Sequence, residues 1–310
     1  MQRKRVSVIG DLVFDMDHVL SSAGECHEGG RKLVVGKSSM RLGAAGGVAS
    51  MVSALGCDVL LVGIAHHGDV LTVKRMSGGM AFVLGTEQRT LSRERFWLNG
   101  ERFGDRVDQG GRVALDPRDC CSLAARALAF APDAVVVCDH AAGVITRDTM
   151  ETLKQSGVPL FCDPHVDSDW SAFSGVECLC MNRSEAMAAV DAADPVEPKE
   201  TIQKCDEAGL WWYRSGWWLA KKAEAMESDS HRLWFPSMAR QVRDTLGAGD
   251  QFIATLACSR VNGMDWESSI FHANVAAGLQ CERLGVVPVT LPEICDRMEN
   301  LSDAELVGVK

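Results

Sequence analysis

The chain lacks an excess of positive charge. Its 310 residues carry 32 Lys and Arg against 42 Asp and Glu, a net charge of −10. A nucleic-acid surface needs a broad field of cations to release counterions, so that class is excluded. An acidic protein can still bind a phosphorylated metabolite through local donors. Long apolar runs are missing too. Nothing approaches the ~18 residues of a membrane span. After the basic start MQRKR only five apolar or small residues precede Asp11, too few for a signal peptide. The twelve cysteines include no C-x-x-C. Cys120-Cys121 and Cys178-Leu-Cys180 are wrongly spaced for a zinc knuckle. Cys57, Cys138, Cys162 and Cys258 lie in apolar runs, where a thiol behaves as a small hydrophobe. Reduced, structural thiols in a cytoplasm are the expectation. The eight histidines form no H-E-x-x-H, and His66-His67 reads as a solvated loop. There is no internal repeat and no low-complexity tract.

What is there is ordinary for a globular protein: 46% hydrophobic and 24% charged residues. The length suits one large α/β domain or two small ones. Short apolar runs recur at 6–10, 59–64, 134–138, 158–162 and 178–181. Continuous apolar character suits strands buried on both faces. Helical patterns fall between them at 47–55, 119–130 and 148–156. Two of these stop at Gly56 and Gly157, and the third stops just before Pro132. The alternation predicts an α/β fold with a doubly wound, mostly parallel sheet. Residues 15–41 and 89–108 break the rhythm and predict a small β lid over one end of that sheet. The acidic segment 191–203 reads as a surface connection.

Several stretches carry chemistry. GGRKLVVGKS (29–38) fails as a phosphate loop, because Arg31 stands where the first glycine is needed. GAAGGVA (43–49) precedes an Ala-rich helix and would let a ligand approach the backbone. NRSE (182–185) follows an apolar run. Asn182 and Glu185 form a capping box on one reading. On the other, Glu185 is a strand-end carboxylate that helps hold a metal–phosphate complex. Asp11, Asp15 and Asp17 in GDLVFDMD are turn residues, or one of them accepts hydrogen bonds from a polyol. Finally, RDTLGAGDQFIATLACS (243–259) is a glycine loop opening a helix, which is an anion cradle. Asp250 sits in the first turn of that cradle.

These stretches together resemble the ribokinase/PfkB family of carbohydrate kinases over roughly residues 6–290. DTLGAGD (244–250) matches the family signature D-T-x-G-A-G-D in full. GDLVFD, RLGAAGGVASMVSALG (41–56) and LVGIAHHGD (61–69) meet the N-terminal signature. TLSRERF…RVD, CDHAAG (138–143), GVPLFCDP (157–164), MNRSE and HANVAAG (272–278) are most similar to the branch that phosphorylates heptose 7-phosphate at its anomeric hydroxyl. The resemblance implies one ribokinase-like kinase domain over 1–310, with the lid from about 15–41 and 89–108. The nucleotidyltransferase domain fused to some heptose kinases is expected to be absent.

The resemblance also implies roles. Asp250 is the catalytic base, and Gly247, Ala248 and Gly249 form the anion hole. Asp15, Gly43, Gly47, Arg93 and Asp108 lie at sugar-binding positions. Asn182, Glu185, Thr245 and Asn274 lie on the nucleotide side. Glu185 organises magnesium through water, and Asp244 helps bind a monovalent cation such as K⁺. ATP is the co-substrate, and a sugar or sugar phosphate is the acceptor. The chain departs from the family at Ala44, Gly47 and Ala142, where a glycine, an asparagine and a lysine are usual. The T-x-G-x-x-G stretch is not recognisable in 211–222, whose four tryptophans read as packing or an interface.

Near a helix N-terminus, Asp250 is expected to stay ionised and to be a weak base in isolation. That suffices for a loose transition state, in which the hydroxyl becomes acidic late. A crowd of arginines (Arg89, Arg93, Arg95, Arg102, Arg106) favours a phosphorylated acceptor, with Arg93 as the phosphate ligand. Two other readings are a kinase for a ketohexose or nucleoside, and a non-catalytic nucleotide- or sugar-binding protein. Unpaired lid edges favour a homodimer.

Overall fold

The computed structural model describes residues 3–194, 196–214 and 232–301. Strand β1 (Arg5–Gly10) shows why the apolar runs are continuous. Val6 and Val8 enter one core and Ile9 enters another on the opposite face. Ser7, buried on the second face, donates its hydroxyl to the Ala127 carbonyl at 2.7 Å. Strands β2 (Leu12–Glu25) and β3 (Arg31–Ala44) form a long antiparallel hairpin that leaves the core. The stretch 29–38 lies at its turn and along β3, not on a helix.

Helix α1 (Ala45–Ala54), strand β4 (Asp58–His66), helix α2 (Val70–Met76) and strand β5 (Ala81–Thr86) follow. Strands β6 (Leu91–Leu98), β7 (Glu101–Arg102) and β8 (Val107–Gln109) return to the hairpin. Then come α3 (Pro117–Ala129), β9 (Ala134–Cys138), α4 (Arg147–Gln155), β10 (Leu160–Asp163), β11 (Cys178–Met181) and α5 (Arg183–Asp191). The described chain closes with β12 (Glu200–Lys204), β13 (Gly209–Arg214), β14 (Arg232–Pro236), α6 (Ala248–Val261), α7 (Trp266–Cys281) and α8 (Leu291–Glu299).

The main sheet has the order β14-β13-β12-β11-β10-β9-β1-β4-β5. From β5 to β12 neighbours run parallel; β13 and β14 are added antiparallel. Residues of α1, α6, α7 and α8 fill one core, and residues of α3, α4 and α5 the other. The fold is thus doubly wound. The smaller sheet has the order β3-β2-β6-β7, with β8 also on β6. There β2 and β6 run parallel, so Asp15 stands opposite Arg93 and Asp17 opposite Arg95.

One expectation is overturned. The segment 191–203 is not wholly a surface connection, because β12 begins at Glu200 and is a central strand. Val196 and Ile202 are completely buried. An acidic, Pro-containing approach masks a strand whose two uncharged polar residues, Thr201 and Gln203, are buried as well. Trp211 and Trp212 pack within the fold. Trp211 lies 4.9 Å from Trp234 by ring centroids, and Trp212 lies 6.3 Å from Trp266. Trp217 and Trp218 lie outside the described residues. None of the twelve cysteines, all of them among the described residues, forms a disulfide. No helix among the described residues is long and apolar enough to cross a membrane.

Candidate active site

In an open α/β sheet, ligands bind at the carboxyl ends of the strands. Here those ends carry a row of polar groups. Asp11 follows β1, Asp139 follows β9, Asp163 ends β10, Asn182 follows β11 and Lys204 ends β12. Helix α6 packs on β9 and β10 and brings its first turn to this edge.

The loop into α6 leaves several of its amides without partners. Asp244 ties it down: Oδ1 accepts from the Leu246 amide at 3.1 Å and Oδ2 from the Gly285 amide at 2.9 Å. Both oxygens are therefore used by backbone. Gly247 has φ +75°, and a Cβ there would stand 3.0 Å from Val286, so glycine is required. The amides of Gly247, Gly249 and Asp250 donate to no other described residue. The Ala248 amide, by contrast, closes a turn onto the Thr245 carbonyl at 3.3 Å. Three free amides at a helix N-terminus attract an oxyanion. The Thr245 side chain is exposed beside them.

The electrostatics of Asp250 differ from the sequence expectation. Burial first, then the nearby Asp163 charge, push its pKa up to about 7, although Lys204 and Arg93 pull it down. It therefore takes up a proton more readily than an ordinary carboxylate. A helix N-terminus lowers a pKa locally, but burial and a like charge brought by a distant strand outweigh it. A carboxylate near 7 is well matched to accepting a proton at neutral pH.

Asn182 and Glu185 do form the capping box. The Glu185 carboxylate accepts from the Asn182 amide and from Asn182 Nδ2, both at 2.6 Å. Asn182 Oδ1 accepts from the Glu185 amide at 2.9 Å. Burial and Asp163 raise Glu185 to about 7 as well. The charge of Asp163 thus reaches Glu185, while Lys204 Nζ bonds Asp163 Oδ1 at 2.8 Å. No group of three His, Cys, Asp or Glu side chains among the described residues could hold a metal unaided. An oxygen pair of this kind fits magnesium, which keeps several waters and relies on substrate phosphates.

On the lid side, Asp15 is buried and accepts from Arg95 Nη1 at 2.8 Å. Its other oxygen lies where a Gly43 Cβ would be, at 2.1 Å, so no side chain fits there. A Cβ on Gly47 would meet nothing closer than 3.6 Å and would stand 3.9 Å from Asp250 Oδ2. The half-buried Arg93 side chain donates to no other described residue, yet it acts on Asp250 and on His140. Asp108 stands opposite Arg93 in register. It is held by a two-pronged bond from Arg106, with both distances 2.7 Å.

Asn274 is held by the framework. It is buried, and its Nδ2 donates to the Pro236 carbonyl at 2.7 Å, tying α7 to β14. Asp11 spends its oxygens on the amides of His140, Ala142 and Val144. Two residues escaped sequence reasoning, Asp163 and Lys204, while Arg95 is read there only as one of a crowd of arginines and not as the partner of Asp15. A signal existed for Asp163, which follows an apolar run just as Asp11 does. None existed for Lys204, which lies just beyond a segment read as surface.

Comparison with known proteins places this geometry. A model of the pfkB family carbohydrate kinases matches residues 119–293. The bifunctional protein HldE of Trichlorobacter lovleyi is 29% identical over 279 residues, covering 83% of this chain and 55% of its own length. That of Granulibacter bethesdensis is 28% identical, covering 82% and 56%. The chain spans about half the length of these curated relatives. Arabidopsis thaliana ribokinase, solved with ribose and ATP, superposes with a TM-score of 0.69 at 15% identity, covering 97% of this chain and all of the other. A Burkholderia thailandensis nucleoside kinase, solved with inosine, gives 0.65 at 17%, covering 95% and 97%. The fold is ribokinase-like.

Proposed function

The chain belongs to the pfkB family of carbohydrate kinases, and on that premise we propose that it transfers the γ-phosphoryl group of ATP to a sugar hydroxyl, with Asp250 as the base. The observation that carries this reading is the placement of Asp250. A carboxylate raised to about 7 stands in the same helical turn as free amides of Gly249 and Asp250. In the reaction, the hydroxyl oxygen bonds to the γ-phosphorus, the bond to the ADP oxygen breaks, and the hydroxyl proton goes to the Asp250 carboxylate. The free amides stabilise charge on the transferring group. Glu185 and Asp163 would hold magnesium through water, and the bound ion supplies neutralisation of the phosphate oxygens. Asp244 we read as a loop tether, since both of its oxygens already hold amides.

The acceptor we propose is a sugar phosphate, with heptose 7-phosphate at its anomeric hydroxyl as first choice. The resemblance to that branch, the likeness to the HldE proteins and the unpaired Arg93 support it. Asp15, Gly43 and Gly47 shape the sugar side, and Arg93 binds the phosphate. The protein is further proposed to be cytoplasmic, and to dimerise through the lid. There Val34 and Val35 are exposed on the edge strand β3, a surface that seeks a partner. The test is an ADP-release assay over matched free and phosphorylated sugars and nucleosides. Turnover with a phosphorylated sugar is expected. Preference for a free sugar or a nucleoside overturns the substrate, and no turnover with any acceptor overturns the kinase reading.

A further inference from the structure

Lys204 occupies a place that the reaction outlined above leaves without a role. It ends β12, and its side chain crosses the end of β11 to reach β10. There Nζ donates to Asp163 Oδ1 at 2.8 Å. The same nitrogen lies 3.2 Å from where a Cβ on Gly249 would stand. Glycine at 249 therefore lets an ammonium approach the first turn of α6.

The lysine forms an ion pair with Asp163. An ammonium has three N–H donors. Asp163 takes one, and the side chain donates to no other described residue. The side chain is 22% exposed, so the site is open enough to admit a ligand oxygen. A cation with spare donors thus stands beside Gly249, whose amide also has no partner.

A lysine needed only to neutralise Asp163 would not require this proximity to the α6 amides. We propose that Lys204 binds the terminal phosphoryl group of the nucleoside triphosphate, sharing it with the amide of Gly249. This rests on the kinase reading and adds a phosphate ligand to it. The ammonium keeps its proton throughout and forms no covalent bond. It offsets charge on the phosphoryl oxygens and leaves Asp250 as the only proton acceptor. It also explains how one turn can hold both a carboxylate and an anion, since a fixed cation stands beside both.

The test compares the affinities of a non-hydrolysable ATP analogue (AMP-PNP) and of ADP, measured by calorimetry with magnesium present. The proteins are wild type, Lys204→Met, Lys204→Arg, Asp163→Asn and the double variant Asp163→Asn/Lys204→Met. A lost charge-assisted bond corresponds to about tenfold or more in affinity. Lys204→Met should weaken AMP-PNP by that factor beyond any change in ADP, and Lys204→Arg should recover part of it. The double variant removes the ion pair without stranding a buried carboxylate, and, read against Asp163→Asn alone, it decides the matter if the single variant does not fold. It should melt closer to wild type and still bind AMP-PNP weakly. An AMP-PNP-to-ADP affinity ratio equal to wild type in Lys204→Met, or equal to Asp163→Asn in the double variant, means that Lys204 serves Asp163 alone. No acceptor turnover is needed for these measurements, so failure of the kinase reading and failure of this assignment are separable.

Discussion

Arg95 Nη1 donates to Asp15 Oδ1 at 2.8 Å, and both side chains are buried where the lid meets the main sheet. The bond runs diagonally, because Asp15 faces Arg93 in register but bonds the arginine two residues on. The arginines of 89–108 therefore divide. Arg95 holds Asp15, Arg106 holds Asp108, and Arg93 has no side-chain partner among the described residues.

That division predicts opposite phenotypes. Breaking a buried pair by removing one partner costs about 3–5 kcal/mol. Arg95→Ala should lower the melting temperature by several degrees. Arg93→Ala should melt near wild type, yet lose kcat/KM selectively for a phosphorylated sugar. Thermal unfolding and acceptor kinetics on the two variants check this. An Arg93→Ala protein that melts as low as Arg95→Ala would place Arg93 in the framework instead.

The two lid-side glycines should also differ. A Cβ on Gly43 would overlap Asp15 Oδ2 at 2.1 Å, whereas one on Gly47 meets nothing closer than 3.6 Å. Gly43→Ala should raise the sugar KM about tenfold or more, by displacing a ligand that a charge-assisted bond depends on, with nucleotide affinity unchanged. Gly47→Ala should be mild. Equal effects of the two on KM would remove Asp15 from the acceptor site.

The pH dependence follows from Asp250. Its folded pKa is raised to about 7, against roughly 3.9 for a free aspartate. The folded protein thus holds this proton more tightly than the unfolded chain. The stability it contributes is fully present below the unfolded value and is lost as pH rises to about 7. Asp250→Asn should raise the melting temperature relative to wild type, by a margin that grows from pH 4 to 7 and then levels. kcat/KM of wild type should rise through the same window, because the base must be ionised. Glu185 shares the range and the Asp163 influence, so the apparent value belongs to the set. A melting difference that does not vary with pH would mean that Asp250 is not perturbed.

Magnesium tests the double duty of Glu185. Both of its oxygens serve the capping box, and Gln keeps an acceptor there. Glu185→Gln should raise the magnesium concentration needed for half-maximal rate, with a modest loss of stability. An unchanged magnesium titration with a lower melting temperature would leave the cap as its whole role.

Much of the fold is legible in the sequence because the central strands are buried on both faces. VSVIG, AVVVC and CLCM then have no polar alternation to obscure them. Strand β12 is hidden because Thr201 and Gln203 are polar and buried, and only the finished sheet supplies their surroundings. In the candidate site, local patterns reveal the Gly247 loop and the Asn182–Glu185 box, since each is settled within a few residues. The role of Lys204 and the pairing of Arg95 with Asp15 are invisible for the converse reason. The first acts across β11 onto Asp163, and the second acts from β6 onto β2. The perturbation of Asp250 belongs with them, because a strand about ninety residues away supplies the like charge.

The most direct test of the account is the turnover of purified Asp250→Asn with the best phosphorylated acceptor, beside its affinity for AMP-PNP. Asn keeps the shape but cannot accept the proton, and general-base catalysis is worth about 10²–10⁴-fold. The account predicts a fall of kcat in that range with nucleotide affinity largely retained. Turnover near wild type would contradict it and remove Asp250 as the base.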